Sequence, residues 1–234
     1  MFAVLTAGAF GSAASAEEAA ECKDFPAALD KIAAMQVIGS APAHFFEAWV
    51  DGCERSVEHC QKRSYVLPGD RVFAEDAGAG FFCAWYLDGK GRESWGLLPA
   101  ARLAQARTDG PATDGLSGWA SSWRMIGLAP THVGSNDDMT PEVEIAMVAD
   151  GGALKAASHA TYPYKTPSGE LRAHAYESDA AVVLKGGLAT IIDEDCRIQM
   201  RRSGDLLVAT DNGQCGGLGV TFLGFYRRVR ATQP

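Results

Sequence analysis

The sequence predicts an all-β protein built from two antiparallel units. From residue 43 onward, short runs rich in aromatic and β-branched residues alternate with turn sequences that contain Gly, Pro or Asp. Helical periodicity is almost absent beyond that point. The polar stretch TDGPATDGLSG divides the runs into two groups. We therefore expect a small β unit over 43–107, a linker over 108–118 and an antiparallel β-barrel over 119–234.

The first residues predict export. FAVLTAGAF is apolar but too short to span a bilayer, and the small residues ASA before Glu17 resemble a cleavage site. The basic segment that usually precedes such a run is missing. A buried N-terminal helix is the alternative, which the Gly, Ala and Ser content of the run disfavours. We expect residues 1–16 to be a signal peptide and the protein to be periplasmic or secreted from a bacterium.

The residues between the signal peptide and residue 43 favour one short helix. The stretch DFPAALDKIAAM spaces its apolar residues three and four apart, as on one face of a helix. We therefore expect residues 17–42 to form a separate N-terminal segment that contains this helix.

Four apolar runs predict the strands of the first unit. They are AHFFEAWV, SYVLPGDRVFAE, GFFCAWYLD and SWGLLPAARL. The turn sequences VDGC, PGD, DAGAG and DGKG separate these strands, because Gly, Pro and Asp favour the backbone conformations of tight turns.

The second unit contains about eight predicted strands. WASSWRMIG opens it, and VEIAMVADGGALKAASHATY predicts a hairpin about Asp150-Gly151-Gly152. AAVVLKGGLATII supplies another apolar pair, and VTFLGFYRRV ends the unit. CRIQMRRSGDLLVATD predicts a hairpin about Ser203-Gly204, which pairs Arg201 with Leu206. We expect a closed barrel, because closure removes the exposed edges of a sheet.

The glycine-rich sequence CGGLGV, which begins at Cys215, predicts a turn into a strand. A phosphate-binding glycine loop is the alternative, and such a loop lies between a strand and a helix. Here the following residues are β-branched and aromatic without helical period, and the glycine spacing matches no phosphate-binding motif.

Six cysteines agree with export and predict disulfides rather than a metal site. Their number is even and none lies in a CxxC pair, whereas a zinc site needs four ligands in paired spacings. We expect Cys196–Cys215, because the hairpin places Cys196 opposite Asp211 and DNGQC can curl back toward it. The other expected bridges are Cys60–Cys83 and Cys22–Cys53, with Cys53–Cys60 as the alternative in this half.

The sequences YVLPGDRV and CAWYLDGKGRESWGLLPAARL, within residues 43–104, resemble bacterial SH3-like domains of exported proteins. That family shows a Gly-Asp after an aliphatic strand, an aromatic strand, a KGR-type turn and a Gly-Trp-Leu strand. In this chain the last motif is inverted to Trp95-Gly96. The resemblance implies an SH3-like small barrel that acts as a targeting or binding module at the cell wall.

The second unit is similar to a family of uncharacterised exported bacterial β-barrels. Members have a Trp-rich first strand and end on a Cys-Gly-Gly, aliphatic, Phe, Gly, Tyr, Arg pattern. This chain carries that ending as Cys215-Gly216-Gly217, Phe222, Gly224, Tyr226 and Arg227. The general shape is also similar to lipocalin-like barrels and to periplasmic enzyme inhibitors.

Aromatic residues crowd the first unit. SH3-like folds use a few surface aromatics to line a shallow groove for a peptide or a glycan. Strand alternation places Trp85 and Tyr86 on opposite faces, so one belongs to the core and the other is available to a ligand. The candidate ligand-binding residues are Tyr65, Trp85, Tyr86 and Trp95.

Strand alternation leaves an apolar strip outside the barrel. Met200, Leu207 and Tyr226 belong to the inward sets of their strands, so the residues beside them point outward. A contiguous apolar strip usually meets a partner, here the first unit or a second copy of the chain in a homodimer. A bulge that shifts the register by one residue would swap the faces. The strip consists of Leu206, Val208, Leu223 and Phe225.

No motif predicts catalysis, a metal or a cofactor. The chain has no GxSxG sequence, and none of its five histidines lies in an HxH or HExxH pattern. The net charge of −8 and the lack of any long basic run disfavour nucleic acid as a partner. We expect a non-catalytic envelope protein that binds a cell-wall or peptide ligand. The alternative is a periplasmic inhibitor of a hydrolase such as a lysozyme or protease, and a cell-wall hydrolase ranks last.

Overall fold

The computed structural model describes residues 22, 25–26, 28–47, 60–106, 115–127, 141–217 and 219–229. Nearly all of its regular structure is β, which confirms the predicted fold class. The first unit contains β1 (Ala33–Val37), β2 (Ala43–Phe46), β3 (Gln61–Val66), β4 (Arg71–Asp76), β5 (Phe81–Leu87), β6 (Glu93–Pro99) and β7 (Leu103–Gln105), with a 3-10 turn at Ala100–Arg102. The second contains α1 (Leu116–Trp119), β8 (Ser121–Gly127), β9 (Glu142–Asp150), β10 (Ala153–Lys165), β11 (Leu171–Lys185), β12 (Leu188–Asp193), β13 (Cys196–Ser203), β14 (Leu206–Asp211) and β15 (Gly224–Arg228).

The seven strands of the first unit form one antiparallel sheet in the order β3-β2-β6-β5-β4-β1-β7. This unit begins earlier than the predicted boundary at residue 43, because β1 pairs with both β4 and β7. The predicted N-terminal helix is wrong for the described residues, which form turns up to Ile32 and then enter β1. The helix-like spacing arises because Phe25, Leu29 and Ile32 all pack into the core between the sheet and the barrel.

The second unit is a closed antiparallel barrel of eight strands, as predicted. One hairpin register differs from the prediction, because Arg201 pairs with Val208 rather than Leu206 and the turn lies at Gly204-Asp205. The pairing is displaced by two residues. Since side chains alternate with a period of two along a strand, each side chain stays on its predicted face.

Large side chains fill the barrel interior, and the polar groups of its buried aromatic residues find partners there. Trp123 donates its indole N–H to the carbonyl of Trp119 at 3.2 Å, and the Tyr226 hydroxyl donates to the carbonyl of Phe222 at 2.8 Å. The Tyr162 hydroxyl donates to the carbonyl of Thr221. These bonds leave the interior with satisfied aromatic donors, which buried tyrosine and tryptophan require.

One face of the sheet in the first unit packs against the outside of the barrel. Phe225 is 1% exposed, and its ring lies 5.7 Å from that of Phe25 and 6.0 Å from that of Phe73. The β15–β8 ladder is irregular between Phe225 and Tyr226, yet the two side chains still face opposite cores. The first unit therefore covers the exterior strip formed by Leu206, Val208, Leu223 and Phe225.

Polar contacts also join the two units. The Arg201 guanidinium donates to the carbonyl of Leu29 at 3.0 Å. The Arg227 guanidinium donates to the carbonyls of Asp88 and Gly89 at 3.3 and 3.4 Å. Two guanidinium groups of the barrel thus satisfy backbone carbonyls of the first unit at the border of the shared core.

The predicted Cys196–Cys215 disulfide is confirmed, with the two Cα atoms 4.6 Å apart. Cys60 is also disulfide-bonded. Cys22 and Cys83 are buried thiols in the core between the units, so the predicted Cys60–Cys83 and Cys22–Cys53 bridges are wrong. Cys60 precedes the edge strand β3, three strand spacings or roughly 14 Å from β5, which exceeds the reach of a disulfide. Cys53 lies outside the described residues.

Candidate binding groove

A shallow groove of about 470 Å³ opens on the first unit, on the side of the sheet that carries Tyr86. It brings together two of the four predicted aromatic residues, Tyr65 and Tyr86. Apolar, acidic, basic and hydroxyl side chains line the rest of the groove. The remaining lining residues are Ser64, Leu67, Asp70, Asp88, Arg92, Glu93 and Ser94.

The edge position of β3 exposes one side of the groove. Tyr65 pairs with His44 on β2, and their rings lie 5.4 Å apart. Because β3 has a neighbour on only one side, Tyr65 is 50% exposed. Leu67, which follows β3, is 49% exposed. An aromatic ring and an aliphatic side chain therefore offer apolar surface beside each other.

Asp70 connects the turn after β3 with the floor of the groove. Its carboxylate accepts the backbone N–H of Leu67 at 2.7 Å, which fixes the Pro68-Gly69 turn. Partial burial, the negative charge of Asp70 and a hydrogen bond to that carboxylate raise the pKa of Tyr86 to about 12. The Tyr86 hydroxyl thus stays protonated next to the Asp70 carboxylate.

Asp88 organises the opposite wall. Its carboxylate accepts the backbone N–H groups of Lys90 and Arg92, both at 2.8 Å, and the Arg92 Nε–H at 2.7 Å. The backbone hydrogen bond from Arg92 is the largest of the contacts that lower the pKa of Asp88. Asp88 holds the Nε end of the Arg92 guanidinium, while most of the Arg92 side chain is exposed at the groove.

The two tryptophans of the predicted site lie elsewhere. Trp85 is 3% exposed and belongs to the core between the sheet and the barrel, so no ring face remains for a ligand. Trp95 is its cross-strand neighbour and packs at the border of the same core. The Lys62 ammonium lies 4.1 Å from the centre of the Trp95 ring and donates to the Trp95 carbonyl at 3.0 Å.

Sequence reasoning missed the polar half of the groove. Asp70 lies in the PGD turn, and Asp88 and Arg92 bracket the turn sequence DGKGR. Both turns were identified as strand connections, and an acidic residue at such a position first satisfies the turn itself. Only the folded chain shows that the two turns meet the same pair of tyrosines.

The groove combines the groups that recognise a peptide or a sugar. A tyrosine ring packs against the apolar face of a sugar or an extended side chain, and its hydroxyl forms hydrogen bonds. Arg92 is suited to a carboxylate, which guanidinium binds in a planar, two-bonded geometry.

The part of the chain that the structure describes contains no group of three or more His, Cys, Asp or Glu side chains that could hold a metal. It also contains no helix long and apolar enough to cross a membrane.

Comparisons with protein-family models, curated proteins and solved structures gave no match at the level that would indicate a relationship.

Proposed function

We propose that this chain is a non-catalytic, exported envelope protein whose first unit binds a peptide or a peptidoglycan fragment. The observation that supports it is the groove that half-exposed Tyr65 lines together with Tyr86 and Asp70. Aromatic surface with a few polar groups at its border is typical of sites that bind small ligands.

The lining of the groove carries more carboxylates than cations, and Arg92 is the group in it that suits a carboxylate of a ligand. Tyr65 and Leu67 suit sugar or aliphatic surface. Peptidoglycan fragments combine sugar rings with short peptides that carry carboxylates. A sugar or an apolar side chain would pack on Tyr65 and Leu67, while Arg92 would pair with a carboxylate of the peptide. Such a fragment matches both halves of the groove.

The disulfide chemistry supports an extracytoplasmic location. Cys196–Cys215 and the disulfide-bonded Cys60 belong to different units of the chain. Disulfides persist in the periplasm and outside the cell, whereas cytoplasmic thiols are kept reduced. An exported protein with an SH3-like module is consistent with this chemistry.

Binding to purified sacculi tests the proposal. We expect the protein to co-sediment with sacculi, and the Tyr65→Ala and Arg92→Ala variants to bind about tenfold more weakly, as for the loss of one central contact. Tyr164→Ala is the matched control, since Tyr164 stacks on His174 in the barrel and lies outside the groove. Equal binding of all four proteins to sacculi and to soluble cell-wall peptides would contradict the proposal.

Inhibition of a hydrolase is the second candidate function, and the shape of the β10–β11 hairpin favours it. Residues 162–165 and 171–174 extend past the ladder with β9, and their Tyr164 and His174 rings stack with centres 4.4 Å apart. Leu171 is exposed at this projecting end. Loss of lysozyme or protease activity on adding the protein, restored by Leu171→Asp, would support this function over the first.

A further inference from the structure

The long strand β11 has an open edge. It pairs with β10 from Leu171 to Val182, whereas β12 pairs with it only over Val182–Lys185. Among the described residues, no strand lies beside 171–180 on the side away from β10. An unpaired strand edge offers a row of backbone donors and acceptors to another extended chain.

The ladder shows which backbone groups face this edge. Across the hairpin end the N–H of Thr166 donates to the carbonyl of Glu170 at 2.9 Å, so even-numbered residues of β11 direct their backbone groups toward β10. The odd-numbered residues direct theirs outward. No strand among the described residues forms a ladder with them on that side. They are Ala173, Ala175, Glu177 and Asp179.

The side chains of the same residues are exposed on the outside of the barrel, where the surface is acidic. Glu177 and Asp179 border a groove of about 570 Å³ that also contains Glu142 and Glu144 of β9. Ala146 and Ala157 leave room between these carboxylates, since they are short neighbours on β9 and β10. His159 lies between Glu144 and Glu177 in the cross-strand row, 3.3 Å from the Glu177 carboxylate.

We propose that the open edge of β11 binds an extended basic peptide segment, which adds one antiparallel strand to the barrel sheet. Its backbone would pair with Ala173, Ala175, Glu177 and Asp179, and its Lys or Arg side chains would lie over the acidic groove. A second copy of this chain is disfavoured, because two β11 edges paired antiparallel would bring Glu177 and Asp179 against like charges. The proposal concerns the barrel alone and does not depend on the tyrosine groove.

A fluorescent ten-residue peptide of alternating Lys and Val is the probe, and fluorescence anisotropy measures its binding. In an antiparallel added strand, the residues that bond to the outward groups of β11 carry their side chains on the same face, which here is the acidic one. Methylation of the Lys backbone nitrogens should therefore abolish binding, whereas methylation of the Val nitrogens should preserve it. Any other pattern, or no binding of the parent peptide at about 1 mM, overturns the proposal.

Two variants test the protein side. Glu177→Lys with Asp179→Lys should lower the affinity for the Lys-Val peptide about tenfold or more, because two attractive contacts become repulsive. Glu47→Lys with Asp76→Lys is the control, since it makes the same total charge change at two exposed carboxylates of the first unit. An equal loss in both proteins would show attraction to net negative charge only and would overturn the proposal.

Amide hydrogen exchange on the natural chain provides a readout that needs no variant. The peptide should slow exchange at Ala173, Ala175, Glu177 and Asp179, whereas the even-numbered amides already bond to β10 and should change little. Uniform slowing along β11, or none, would contradict strand addition.

Discussion

Phe225→Ala is expected to weaken the packing between the two units more than any other single truncation on the outer face of the barrel. The ring is 1% exposed, and it contacts the rings of Phe25 and Phe73 in the shared core. Truncation of a fully buried phenylalanine costs about 3–5 kcal/mol, because it removes transfer free energy and leaves a cavity. Leu223→Ala should cost less, since Leu223 only borders this core.

Urea denaturation followed by circular dichroism measures this loss. We expect the natural chain to unfold in one transition, because the sheet and the barrel share buried side chains. In Phe225→Asp the shared core is broken while the barrel keeps its own interior, so two transitions should appear. Phe222→Asp is the matched control: its ring lies in the barrel interior, and amide protection of the barrel itself should be lost.

A small effect of the truncation would contradict this role of Phe225. If Phe225→Ala lowers the free energy of unfolding by less than about 1 kcal/mol, the ring does not fill a closed core between the units. A single transition in Phe225→Asp with loss of barrel protection would equally contradict the assignment, because it would place Phe225 in the barrel interior.

Three further changes have defined outcomes. Removal of the Cys196–Cys215 disulfide, which spans 19 positions, should lower the free energy of unfolding by about 3 kcal/mol in urea. Because the pKa of Tyr86 is raised from 10.0 to about 12, the folded chain keeps the Tyr86 hydroxyl proton to a higher pH than the unfolded chain does. The stability it contributes should be complete below pH 10 and lost between pH 10 and 12, as urea titrations at stepped pH would show. Gly96→Ala should destabilise measurably in thermal melts while Gly89→Ala does not, because a Cβ on Gly96 would lie 2.8 Å from a carbonyl oxygen at a φ of +149°.

Local patterns in the sequence determined much of the second unit. Alternating apolar residues and glycine turns predict antiparallel strands, and closure into a barrel follows from the need to pair their edges. The Cys196–Cys215 bridge is also local, because one hairpin and its following loop bring the two residues together. Even the hairpin shift at Gly204-Asp205 left the faces unchanged, since a displacement of two residues preserves alternation.

The first unit shows where local patterns end. Alternation separates Trp85 from Tyr86, but it does not say which side of the sheet another unit will cover. The barrel covers the side of Trp85, and Tyr86 is left in the groove. The apolar spacing of Phe25 and Leu29 suits a helix equally well, and the chain uses it to cover the barrel instead.

Strand content, barrel closure and the two apolar faces of the last strands thus follow from local sequence patterns. Only the folded chain shows that Cys60 and Cys83 do not pair, which unit covers the exterior strip and that one edge of β11 is open. The physical reason is distance along the chain. Alternation and turn chemistry act between neighbouring residues, whereas burial of Phe225 against Phe25 depends on contacts between residues 200 positions apart.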